Sequence, residues 1–316
     1  MSEPEKSAPA NWEHDVLEKL ALSAVQEQRR SRHWSILFKT LGFLYLFIVL
    51  FLAAGWFRSD GVSIKAHTAL VDLQGVISAD QTSADSVISS LQSAFDDKKT
   101  KGVVLRINSP GGSPVQAGQI YDEIKRLRAL HPKTPLYAVV DDICASGGYY
   151  VAAGADKIFV DKASIVGSIG VLMDGFGFTQ TMQKLGVERR LLTAGENKGF
   201  LDPFSPVDPK HEAFARQMLE EIHAQFIGVV REGRGKRLKE TPEMFSGLVW
   251  SGEKSIQLGL ADALGTVESV ARDVIKAEDI VDFTRQDSLV ERLAGRLGAT
   301  MAKAWSPFDK VGASLR

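Results

Sequence analysis

Cysteine is nearly absent: Cys144 is the only one in 316 residues, which excludes an internal disulfide and leaves the redox compartment undecided. Charge of either sign in excess is also missing. Thirty-eight Lys and Arg stand against 39 Asp and Glu, for a net charge of -1, which argues against a nucleic-acid partner. The chain has no metal-ligand spacing, no phosphate loop and no nucleotide fingerprint, so no metal and no cofactor are expected. Low-complexity tracts, a strong whole-domain repeat and a long interdomain linker are lacking too. The six histidines, at 14, 33, 67, 131, 211 and 223, lie beside no obvious nucleophile. What remains is a chain with 44% apolar and 24% charged residues, enough to bury a real core.

Its longest apolar run is near the start. Residues 41–57, "LGFLYLFIVLFLAAGWF", carry no charge. At about 1.5 Å per residue they cover about 25 Å, and adding 34–40 brings the helix to bilayer length with Lys39 free to snorkel. The absence of a polar face argues against a buried core helix. Ala53, Ala54 and Gly55 offer a cleavage site for a signal peptide, but a charged leader of about 40 residues is too long for one. The reading is an uncleaved signal anchor. Arg29, Arg30, Arg32 and Lys39 precede it, against Arg58 and Lys65 after it, which places 1–33 in the cytoplasm and everything after about Arg58 outside it. The expected layout is a leader over 1–33, a span over 34–57, a linker over 58–68, one domain over 69–282 and a helical tail over 283–316.

Beyond the linker, strand and helix patterns alternate. Strands are predicted over 69–77, 103–107, 136–140, 157–160, 169–173 and 187–192. Helices are predicted over 85–95, 115–130, from the 146 turn to about 154, 209–231 and, in two short pieces, 254–276; 288–304 has an amphipathic pattern. This order implies an α/β domain with a largely parallel sheet.

Two glycine turns follow successive strands. "NSPGGSP" (108–114) presents backbone N–H groups at a helix start, where they can stabilise an oxyanion, although most such turns only reverse the chain. "DDICASGGYYVAAGAD" (141–156) places Ser146 at the next helix start, at the edge of the sheet where ligands bind in open α/β folds. Ser146 reads either as a nucleophile or as an N-cap; the two glycines behind it exceed what a cap needs. Cys144 reads as a small buried hydrophobe. "TAGENKGFLDPFSP" (193–206) contains Lys198, either a solvated loop lysine or a general base; the second role needs desolvation, which lowers a lysine pKa by up to ~3–5.

Four segments in order, "RINSPGGSP", "DDICASGGYYVAAGAD", "ASIVGSIGV" and "ENKGFLDPFSP", resemble the motifs of the signal peptide peptidase A family, over about residues 69–270. The resemblance implies a crotonase/Clp-protease-like α/β fold preceded by one transmembrane helix, and a serine–lysine peptidase of the bacterial inner membrane. It makes Ser146 the nucleophile, Lys198 the general base and Ser168 the serine that orients the lysine. Gly147 and Gly112 become the oxyanion donors, with Gly111 a rival to Gly112. It further implies remnant signal peptides or other peptides as substrates. It implies a ring- or dome-like homo-oligomer, octamers among them, in which adjacent subunits can share a site. The alternatives are a membrane-anchored scaffold without activity and an acyl-CoA hydratase or isomerase on the same fold.

Overall fold

The computed structural model describes residues 12–53 and 65–285, which fall into two units. The expectations for the first leader residues, the end of the span, most of the linker and the tail from 286 lie outside the described residues.

In the first unit, helix α1 runs from Trp12 to Ala53. Its apolar section, Gln28–Phe51, is 24 residues long with a mean hydropathy of 2.0. At about 1.5 Å per residue it is about 36 Å long, enough by length and composition to cross a hydrocarbon layer of about 30 Å. Phe43 and Tyr45 on it are more than 70% exposed.

The second unit is an α/β domain. Its elements are β1 (His67–Gln74), α2 (Ala84–Asp96), β2 (Thr100–Ser109), α3 (Pro114–Leu130), β3 (Leu136–Ala145), α4 (Gly147–Ala152), β4 (Lys157–Val160) and β5 (Ile165–Gly167). There follow α5 (Thr179–Lys184), α6 (Pro209–Arg234), β6 (Val249–Ser251), α7 (Gly252–Gln257), β7 (Ala263–Leu264), α8 (Val267–Ser269, continued by a π-helical turn to Ile275) and β8 (Ile280–Asp282). The sheet runs β6-β5-β3-β2-β1-β8, with β4 and β7 branching from β3. Every pairing is parallel except β5–β6. Strand β3 is the pivot. Its first half, Tyr137–Val140, pairs with β4, and its end, Ile143–Ala145, pairs with β5. The sheet therefore splits along β3, and the chain leaves the β5 branch directly into Ser146.

Strands β1 and β2 are buried on nearly every residue, as a sheet covered on both faces requires. Leu91 and Phe95 of α2 and Ile120 and Ile124 of α3 join Val71, Leu105 and Ile107 in the main core. Val267 and Val270 cover Leu70, Val104, Val139 and Phe159 in a second cluster. Each fully buried side chain of this size contributes about 1.5–3 kcal/mol. The helix starts follow local chemistry. Ser83 and Ser113 accept the N–H of Ser86 and Gln116, and Pro114 sits where a missing N–H costs nothing. Asp208 caps α6 through Lys210 N–H, ahead of Pro209.

Two predicted strands do not form. Residues 169–173 and 187–192 pair with no strand, and β5 ends at Gly167, where Ser168 turns to a positive φ. Leu172 and Leu192 of those runs are 78% and 96% exposed. Ile169 is buried in the main core, but Leu172 and Leu192 contribute nothing to the core of this chain. At the other end, the fold reaches past 282: Phe283 N–H donates to Leu70 O, and its ring stacks on buried His67.

The far end of α6 is anchored electrostatically. Arg234, 1% exposed, donates Nε to Gly259 O (2.8 Å) and Nη1 to Asp262 Oδ2 (2.9 Å). The same carboxylate accepts Ile158 N–H at 2.7 Å and Arg237 Nη1 at 3.1 Å. Burial opposes ionisation of Asp262, but the Arg234 hydrogen bond and charge outweigh it and hold the carboxyl below its ordinary range. A depressed carboxyl stabilises the fold above its unfolded-state pKa, and that stability is lost as pH falls through the folded-state value. Asp262→Asn leaves the Arg234 charge uncompensated. It should cost about 3–5 kcal/mol in chemical denaturation at neutral pH, and show a shallower further loss toward acid than the parent protein.

Candidate active site

The Ser146 turn is built by close backbone packing. Ser146 has φ 52° and ψ -123°, a region costly for a residue with a side chain. It is held there from both sides: its N–H donates to Gly167 O (2.8 Å), and its carbonyl accepts Tyr150 N–H (3.0 Å). It occupies the N-cap position of α4, yet its side chain makes no capping hydrogen bond. The N-cap reading therefore fails, and among the described residues the hydroxyl has no hydrogen-bond partner.

The preceding glycine turn lies against it. Ile77 suspends that turn, giving its N–H to Gly111 O and accepting Ser113 N–H, both at 2.8 Å. Gly111 and Gly112 have φ +100° and +148°. A Cβ added to Gly111 would lie 2.6 Å from Gly147 N and 2.8 Å from Ser146 Cβ, so only glycine permits the contact. Gly111 N–H donates to Ser109 Oγ at 3.1 Å, whereas Gly112 N–H has no partner among the described residues. Gly147 N–H is the first orphan donor of α4. The geometry thus favours Gly112 over Gly111 as companion to Gly147.

Ser146, Gly112, Gly147 and Ser168 line one cavity of about 430 Å³. Ser168, also at φ 52°, donates its N–H to Leu248 O at 2.7 Å. Helix α6 closes the wall with Ile222, Gln225 and Phe226, and Tyr150 adds a phenol whose pKa burial and Asp122 push up. These α6 residues were not legible as site residues in the sequence.

Among the lining residues there is no Lys, His, Asp or Glu. A general-base role for Lys198 requires a desolvated amine; in the single chain Lys198 is exposed and is not among those lining residues. Its stretch, 171–208, also exposes Phe176, Leu185 and Val207, each at 70% or more. Cys144 is fully buried, and burial drives its thiol pKa far up, as its reading as a small hydrophobe requires. A second cavity of about 460 Å³, beside Asp141, Asp142 and Asp161, contains none of the predicted site residues.

The tight glycine contact makes a direct prediction. Gly111→Ala should leave the far-ultraviolet circular dichroism near that of the parent, while displacing the Ser146 turn and cutting any Ser146-dependent activity about 10²-fold or more. Unchanged activity would contradict the packing described.

Comparison with known proteins agrees with this architecture. The profile named Clp protease matches residues 63–166, and that named Peptidase family S49 matches residues 128–281. A Methanocaldococcus jannaschii protein named "Putative protease MJ0651" is 30% identical over 241 residues, 76% of each chain. An Enterococcus faecium protein named "Putative signal peptide peptidase SppA" is 29% identical over 223 residues, 71% of this chain and 64% of that one. A Brucella melitensis protein named "Na(+)/H(+) antiporter NhaA" is 43% identical over 216 residues, 66% of this chain; the match spans only 29% of that longer protein. The sheet, the split at β3 and these matches together lead to one assignment: the chain belongs to peptidase family S49, with a Clp-protease-like α/β fold.

Proposed function

We propose that this chain is a membrane-anchored serine peptidase with Ser146 as nucleophile and Lys198 as general base. The observation that carries the reading is the Ser146 turn: an uncommitted hydroxyl on a strained helix start, beside the Gly112 and Gly147 N–H groups in one cavity. In the mechanism, Ser146 Oγ attacks a peptide carbonyl carbon while its proton passes to the neutral Lys198 amine. The carbonyl oxygen becomes an oxyanion accepting from Gly112 and Gly147. Lys198 then gives the proton to the leaving amine, the C–N bond breaks, and an acyl-enzyme remains. Water, deprotonated by Lys198, attacks the ester, and Ser146 leaves with its proton restored.

The lysine is supplied by a neighbouring copy in a ring- or dome-like homo-oligomer. Three observations support this: the cavity lining lacks a base, Lys198 is exposed, and the stretch that carries it exposes large apolar side chains. Docking that stretch against a second copy would strip water from the amine and favour its neutral form. Ser168, strained and in the same cavity as Ser146, orients the amine.

Remnant signal peptides and other membrane-proximal peptides are the substrates. The apolar α6 wall suits their apolar side chains, and α1 suits a bilayer anchor. The excess of basic residues before the span, Arg29, Arg30, Arg32 and Lys39, supports a cytoplasmic N-terminus and a domain on the far face of a bacterial inner membrane.

The test uses the full chain in detergent with a fluorogenic signal-peptide-like substrate. Ser146→Ala and Lys198→Ala should each lose at least about 10³-fold in kcat/KM. Co-assembly of the two inactive variants should recover part of the activity, because some sites then pair an intact serine with an intact lysine. Full activity in either variant contradicts the dyad. Two inactive variants with no recovery on mixing contradict the shared site but leave the dyad standing.

A further inference from the structure

We propose that His223 is a positioning residue for the Ser146 site, holding the strained Ser168 turn through the carbonyl of the next residue. The inference rests on the serine-peptidase reading above. His223 lies on α6, half-buried, with Nε2 3.2 Å from Ile169 O. A carbonyl only accepts, so Nε2 must carry a proton, and it does so in both the neutral ε tautomer and the imidazolium. His223 is not itself among the residues lining the cavity, and its Nε2 is committed as a donor. It is therefore placed to act through the backbone and not as the base.

What it holds is a tightly constrained stretch of the site. Gly167 O takes Ser146 N–H at 2.8 Å, Ser168 N–H goes to Leu248 O at 2.7 Å, and Ile169 O takes the His223 bond. Three consecutive residues are thus tied to three separate parts of the fold: the start of α4, the run-in to β6, and α6. The Ile169 side chain is itself 0% exposed. A non-glycine residue at φ 52° persists only where its surroundings over-determine it. Among the described residues, His223 is the only side chain that hydrogen-bonds the Gly167–Gly170 backbone.

The consequence is mechanical. Ile222, next to His223, and Phe226, about one turn on, form part of the cavity wall. A peptide seated on that wall presses on the same helix that fixes Ser168. The His223 bond therefore belongs to catalytic geometry more than to substrate affinity, and its loss should fall on kcat.

The experiment compares full-length wild type, His223→Leu and His223→Gln, with Ser146→Ala as reference. Leucine keeps bulk but removes the donor; glutamine returns an amide N–H at a similar reach. His223→Leu should lower kcat about ten- to a hundredfold with KM within about twofold, and His223→Gln should restore kcat to within about threefold of wild type. Hydrogen–deuterium exchange of a peptide covering 165–172 should quicken about tenfold in His223→Leu alone, with the other core peptides unchanged. The proposal is overturned if His223→Leu keeps wild-type kcat, if His223→Gln falls as far as His223→Leu, or if exchange at 165–172 does not move. If Ser146→Ala is as active as wild type, the serine-peptidase reading fails, and the exchange comparison alone then decides whether His223 holds the turn.

Discussion

The structure depends on one backbone contact, the approach of the Gly111–Gly112 turn to the start of α4. Any side chain at Gly111 would collide with Ser146 Cβ and Gly147 N, so the two turns can meet only as bare backbone. That approach brings the Gly112 N–H alongside Gly147, and among the described residues neither that N–H nor the Ser146 hydroxyl has a hydrogen-bond partner. The strain of two serines at φ 52° is the cost, and the hydrogen bonds around them offset it.

Strand order explains why this contact exists. Strands β2 and β3 are parallel neighbours, so their following turns emerge side by side at one sheet edge. The split of β3 between β4 and β5 brings Gly167 and Ser168 to the same place from a third direction. Helix α6, fixed at its far end by the buried Arg234–Asp262 pair, closes the remaining side. What these elements assemble around one cavity is the Ser146 hydroxyl proposed as nucleophile, the Gly112 and Gly147 N–H groups proposed as oxyanion donors and a largely apolar wall, with no Lys, His, Asp or Glu among the lining residues. The exposed stretch from 171 to 208, rich in apolar residues and carrying Lys198, is the complementary half of that account.

Much of this was legible in the sequence because it is local. The β-α alternation from β1 to β4 follows from short apolar runs, caps and glycine turns, and the structure matches it to within a few residues, except at the end of β3, which runs on through 141–145 to the Ser146 turn. Ser146 and the two glycine turns were visible as small-residue turns after successive strands. The run at 169–173 misled because Val171, Leu172 and Met173 look like a buried strand, whereas the positive φ at Ser168 ends the ladder and leaves Leu172 exposed. The Leu191–Leu192 run misled for a related reason: apolar residues were assigned to a core within one chain. Lys198 is exposed in the single chain, so the desolvation its proposed role needs has no source within that chain. His223 had no signal at all, since its partner lies 54 residues away and is a backbone carbonyl.

The most direct measurement is mass-spectrometric mapping of the adduct formed by a serine-reactive fluorophosphonate on the full chain. The account predicts one stoichiometric phosphonylation per chain on Ser146 Oγ, absent when Lys198 is replaced by alanine. Adduct on another residue, or none in a preparation that cleaves peptides, would contradict it.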